Sequence, residues 1–144
     1  MQEAELARRL AEVEFFAELP EETRRQVVSR GAQLTHRAGT AITTHGADGA
    51  GFHLILSGTA DVEVHGEKRA TLSTGDSFGE ISLIDGQPRS ATVIAGPEGL
   101  STLAISPLAF SPLLDDPVVA RSLLRAVTAR LRAAEARAAA ASAS

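Results

Sequence analysis

The sequence predicts a mainly β domain with helices flanking it at both ends. Three observations point there. Residues 32–107 fall into short runs of Thr, Val, Ile and Leu separated by glycine turns, the pattern of a sandwich or barrel. Residues 2–31 carry apolar side chains at helical spacing. Asp115-Asp116-Pro117 then opens a long stretch rich in Ala, Leu and Arg, a strong helix start.

Each element has its own warrant. Leu6, Leu10, Val13 and Phe16 recur at helical spacing among Glu and Arg, which predicts an amphipathic helix over 2–16. Leu19-Pro20 breaks it. Pro20-Glu21-Glu22 opens a second helix, with acids in its first turn, Val27 and Val28 on its buried face, and Gly31 at its end. Strands are expected at 33–36, 41–44, 52–57, 59–65, 67–72, 90–95 and 100–105. Asp61 to His65 alternates strictly, so that strand is half-buried, and Gly66 makes a tight hairpin into Lys68-Arg69. Leu108 to Phe110 reads as one helical turn. Asp116 caps the last helix, Pro117 takes its first position, and Ala120, Leu123, Leu124, Val127, Leu131 and Ala134 supply its apolar stripe. Beyond Arg137 only Ala and Ser remain.

Composition bounds the function. With 144 residues and 44% apolar content, a single domain over 1–144 with one core is expected, made of N-terminal helices 2–31, a β region 32–107 and C-terminal helices 108–138. A net charge of −4 argues against a general nucleic-acid role. No cysteine means no disulfide framework and no thiolate metal site. No apolar run reaches the ~18–20 residues that span a bilayer, and the acidic N-terminus lacks signal-peptide order, so a cytoplasmic protein without membrane partners is expected. The four histidines, His36, His45, His53 and His65, are dispersed without metal-ligand spacing and read as surface or half-buried residues. Asp48 lies in a glycine-rich loop and carries no assigned chemistry. No nucleophile–base pair stands out. Neither catalytic nor metal residues are assigned, and no resident cofactor is expected.

Residues 75–93 carry the chemistry. Phe78-Gly79-Glu80 forms a short turn ahead of a small apolar helical turn, and Arg89 follows between Pro88 and Ser90. Gly79 lets backbone approach a ligand closely. The amides of Ile81 and Ser82 can point at a phosphate, and Arg89 can neutralise it with a planar fork of donors. Glu80 is an acceptor-only carboxylate suited to ribose hydroxyls. Plainer roles exist for each. Arg89 could pair with Asp85 or Asp76, Glu80 could cap the following turn, Gly79 could be an ordinary turn residue, and Ser82 could fill space.

The whole set, Phe78, Gly79, Glu80, Ile81, Ser82, Leu83, Arg89, Ser90, Ala91 and Thr92, resembles the phosphate-binding cassette of cyclic-nucleotide-binding domains. These are the β-roll modules of bacterial cAMP receptor proteins, protein kinase regulatory subunits and cyclic-nucleotide-gated channels. Gly39, Gly58 and Gly75 also fall where that family places its turn glycines, and the resemblance covers roughly 15–135. It implies a double-stranded β-helix (a jelly-roll or β-roll) with N-terminal helices and a C-terminal lid helix that closes over the base. Phe78, Gly79, Glu80, Ile81, Ser82, Arg89, Ser90 and Ala91 would then bind the ligand. Ser90 resembles the serine of bacterial cAMP receptors, whereas members that prefer cGMP often carry Thr. Glu135 stands about where the lid reaches the base and could accept from guanine, although a solvated helix surface is the stronger reading of it. Ala134 and Glu135 also depart from the hydroxyl-bearing pair of some bacterial members. The balance favours cAMP over cGMP.

The resemblance therefore implies a non-enzymatic cyclic-nucleotide sensor whose output is movement of its last helix. Its partners would be the nucleotide and either a second copy, paired through Leu123, Val127 and Leu131, or an effector protein. The alternatives are a degenerate β-roll that serves only as an interaction module, and a cupin-like enzyme. Arg121, Arg125, Arg130, Arg132 and Arg137 read as solubilising the last helix and complementing its dipole. No direct DNA binding is expected, because the chain stops before a helix-turn-helix could fit.

Overall fold

The computed structural model describes residues 1–43, 51–85 and 91–143. His45, Asp48, Arg89 and Ser90 lie outside the described residues. Two helices open the chain, α1 (Glu3–Leu10) and α2 (Glu21–Ser29). Strands β1 (Ala32–His36), β2 (Ala41–Thr43), β3 (Phe52–Val64), β4 (Glu67–Leu72) and β5 (Ser77–Phe78) follow. Helix α3 (Glu80–Asp85) leads to β6 (Thr92–Ile105), and the chain closes with α4 (Pro107–Phe110), a 3-10 turn (Ser111–Asp115) and α5 (Pro117–Ala143). The sheet runs β1-β6-β3-β4, with β2 also on β6 and β5 also on β3, and every pairing is antiparallel. This is the expected β-roll with flanking helices.

Two long strands form its spine. β3 and β6 pair from Phe52 opposite Ile105 to Glu63 opposite Thr92. The expected strands 52–57 and 59–65 are one strand here, as are 90–95 and 100–105 over their described residues. Gly58 and Gly99 bend the ribbon without interrupting it. Both have positive φ, 87° and 82°, and a Cβ on Gly58 would sit 2.2 Å from the Gly99 carbonyl oxygen. Only glycine on glycine allows the two strands to turn the corner together. The hairpin into β4 turns on His65 and Gly66, both at positive φ, the conformation that matches strand twist.

The first helix is shorter than its spacing predicts. α1 stops at Leu10, and the chain continues to Leu19 in tight turns, with Val13 donating to Leu10, Phe16 to Val13 and Leu19 to Phe16. Val13, Phe15, Phe16 and Leu19 are all buried. Adjacent Phe15 and Phe16 cannot share one face of an α-helix, and the turns let both reach the core. Phe16 meets Phe15 and Phe52 edge-on at 5.0 Å and Phe110 at 6.1 Å. These rings centre a core that joins α1, α2, the open end of the spine and the last helices. A second cluster, Ile55, Ala60, Phe78, Val93, Ala95 and Leu100, fills the roll itself.

In α5 the buried stripe is Val119, Ser122, Leu123 and Ala126, while Leu124, Val127 and Leu131 are exposed. The expected stripe is therefore rotated. Asp116 does cap the helix, its Oδ1 accepting from the Val118 amide at 2.8 Å. His53 also departs from expectation. It is buried in β3, with Nδ1 3.1 Å from Thr102 Oγ1 and its ring stacked on Phe78 at 4.9 Å. Its flat ring fills the sheet interior because Thr102 satisfies a nitrogen there. Among the described residues no helix is long and apolar enough to cross a membrane.

Candidate functional site

Strand β3 anchors both ends of the 78–92 segment. Phe78 lies opposite His53 through β5, and Thr92 lies opposite Glu63 through β6. The turn before it is fixed as well. Ile55 donates to Asp76, Gly75 donates to Ile55, and the Asp76 carboxylate accepts from the Ser73 amide at 2.8 Å. The segment thus leaves and rejoins the same long strand.

Gly79 stands between β5 and α3 with φ 87°. That left-handed backbone reverses the chain and starts α3 at Glu80, with the Gly79 carbonyl accepting from the Leu83 amide. α3 buries Ser82 and Leu83 and exposes Ile81 and Ile84. Phe78 packs into the roll cluster. Phe78, Gly79, Glu80, Ile81 and Ser82 are therefore brought together as one turn, and Ala91 sits half-buried where the segment returns to β6.

Glu80 is the informative side chain. It is 8% exposed, and a carboxylate withdrawn from water needs partners. The Ser77 hydroxyl donates to its Oε1, and Arg130 of α5 brings Nη2 to 3.9 Å from the same oxygen. Neither partner was foreseen. Ser77 was detectable from the Ser-x-x-Glu spacing that often precedes a helix. No local signal marks Arg130, which lies one turn beyond Ala126 on the side of α5 that buries Val119, Leu123 and Ala126. Glu135 lies on an exposed part of α5. No group of three or more His, Cys, Asp or Glu comes together as a metal site among the described residues.

Residues 33–116, more than half of the chain, match the family model of the cyclic nucleotide-binding domain. The chain belongs to that family. A cAMP-dependent protein kinase regulatory subunit of Yarrowia lipolytica is 39% identical over 88 residues, covering 60% of this chain and 24% of the relative. The N-terminal domain of a transcriptional regulator from Streptomyces coelicolor A3(2) superposes with a TM-score of 0.78 at 27% identity, over 88% of this chain and 94% of that one. The regulatory domain of Toxoplasma gondii PKA, solved with cAMP, gives a TM-score of 0.71 at 26% identity, over 83% and 47%. The chain spans about a quarter of the length of the curated relatives it matches. As a cyclic nucleotide-binding domain, it has its β5–α3 turn, with the buried Glu80, where the resemblance puts the phosphate-binding cassette.

Proposed function

We propose that this domain, one unit over 1–144, is a non-enzymatic cytoplasmic sensor that binds cAMP in preference to cGMP and reports occupancy through α5. The observation that carries the reading is Glu80, a carboxylate nearly sealed from water directly after a left-handed glycine in a family cassette. In this reading Arg89 and the amides of Ile81 and Ser82 hold the cyclic phosphate, and Glu80 accepts from the ribose hydroxyl. Phe78 and Gly79 shape the turn, while Ser90 and Ala91 close it beside the phosphate. Glu135, on an exposed part of α5, contributes to the base edge only if the helix moves. A second copy or an effector protein would take up the output. Leu123 is buried, so a helix-to-helix pairing would use the exposed Leu124, Val127 and Leu131.

Calorimetric titration of the wild type and Arg89→Ala with cAMP and cGMP tests this. Saturable binding with tighter cAMP is expected, and the mutant should lose about 2–5 kcal/mol while keeping its fold by circular dichroism. No binding to the wild type would make the domain a degenerate interaction module. Unchanged binding in Arg89→Ala would remove the phosphate role from that residue.

A further inference from the structure

We propose that His53 is a positioning residue that holds the cassette turn by its ring, and that His36 beside it makes this hold proton-sensitive, so that nucleotide affinity falls on acidification. The proposal rests on the nucleotide-binding reading given above. In the pairing of β3 with β5, His53 stands opposite Phe78, the residue that leads into Gly79 and Glu80. The two rings stack with centroids 4.9 Å apart and planes 7° from parallel. His53 Nδ1 lies 3.1 Å from the hydroxyl of Thr102, which is wholly buried. The imidazole is therefore fixed through a nitrogen as well as through its face. A ring held in this way sets where Phe78 lies. Phe78 in turn sets where the left-handed Gly79 and the buried Glu80 begin. A phenyl ring would stack as well, but only a histidine can also answer to pH near neutrality.

His36 supplies the sensitivity. Its ring meets that of His53 edge-on, with centroids 6.1 Å apart and planes at 61°. Both rings line one cavity of about 390 Å³, together with Arg30, Leu34 and Ile42. His36 also borders a second cleft, with Arg37 and Glu98. Among the described residues these are the charged groups that face it. A protonated His36 thus meets two guanidiniums and an imidazole against one carboxylate. Its Nε2 is buried without a hydrogen-bond partner among the described residues, and burial holds its pKa below the usual histidine value. A proton taken up here drives the ring from its place beside His53 towards water. The stack on Phe78 then loses its lateral support. The nucleotide favours the neutral pair, and by the same factor opposes its protonation.

The test is the pH profile of cAMP affinity. Wild type, His36→Gln, His53→Phe and His53→Leu are titrated by calorimetry between pH 7.5 and 5.5, with the fold followed by circular dichroism. Wild-type affinity should fall about three- to tenfold over that range. Most of that slope should vanish in His36→Gln and in His53→Phe. His53→Phe should keep the wild-type affinity at pH 7.5, because the stack survives. His53→Leu should lose about two- to tenfold at pH 7.5, because the stack is gone. A flat wild-type profile, or an undiminished slope in either His36→Gln or His53→Phe, overturns the proton sensitivity. Wild-type affinity in His53→Leu overturns the positioning role. If the wild type binds no cyclic nucleotide, the functional reading falls, and the coupling is decided by nuclear magnetic resonance on the empty protein. There the amides of Gly79 and Leu83 must shift with the titration midpoint of the His36 ring, and that step must be absent from His36→Gln. Amides that ignore the His36 titration overturn the coupling as well.

Discussion

His36 shows how much one atom can decide. It ends β1 half-buried, its Nε2 is buried without a hydrogen-bond partner among the described residues, and its ring lies 6.1 Å from that of His53. Burial lowers its pKa from the usual value, because the charged ring would lose water and gain nothing. The unfolded chain then binds the proton more readily than the folded one. Stability from this group is complete above the ordinary histidine value of about 6.5 and is lost as pH falls through that value towards the lowered one. Urea midpoints at pH 7.5 and 5.5 should show the wild type weakening on acidification and His36→Gln weakening less. An identical pH response in the two proteins would remove His36 as a source. Glu80 is the opposite kind of residue, since its burial is compensated by Ser77 and Arg130.

At the scale of elements, α5 has two faces with different duties. Leu123 is 3% exposed and Leu131 is 58% exposed. Leu123→Ala should cost about 2–5 kcal/mol of stability through the cavity it leaves. Leu131→Ala should stay within about 0.5 kcal/mol. Equal losses in denaturant titrations would mean that the exposed face is covered in solution. The same helix shows what could be read from the chain. Its start was plain in Asp116-Pro117, because capping is local chemistry. Which of its two leucine-bearing faces turned inward was not, because Leu123, Leu124, Val127 and Leu131 span more than one face, and tertiary packing chose among them. The cassette turn was legible for the same local reason, since Gly79 and Glu80 act through their own backbone and charge. Arg130 was not, because one arginine among five on a helix looks solvated until the fold places Phe15 and Glu80 beneath it. The bends at Gly58 and Gly99 were misread as strand ends. A glycine inside a strand pattern and one between two strands look alike until the partner strand is known.

For the whole molecule, any ligand that binds only the folded form must raise its stability. With free cAMP at a hundred times its dissociation constant, the unfolding free energy should rise by about 2.7 kcal/mol. The thermal midpoint should climb by several degrees, with a smaller rise for cGMP at the same concentration. No shift with either nucleotide at millimolar concentration would speak against the sensor reading.

The pairing of the sheet also dictates when the protein can come into being. β1 is made early, yet Ala32 lies opposite Ala104 and Leu34 opposite Thr102. Phe15 and Phe16 share their core with Leu123 and Ala126 of the last helix. Contacts this distant in sequence are closed slowly. During synthesis Phe15 and Phe16 therefore leave the ribosome well before the part of their core that α5 supplies. Release of α5 is the event that completes this cluster, to which the helix gives Val119, Leu123 and Ala126, whereas the cluster inside the roll draws on no residue of α5.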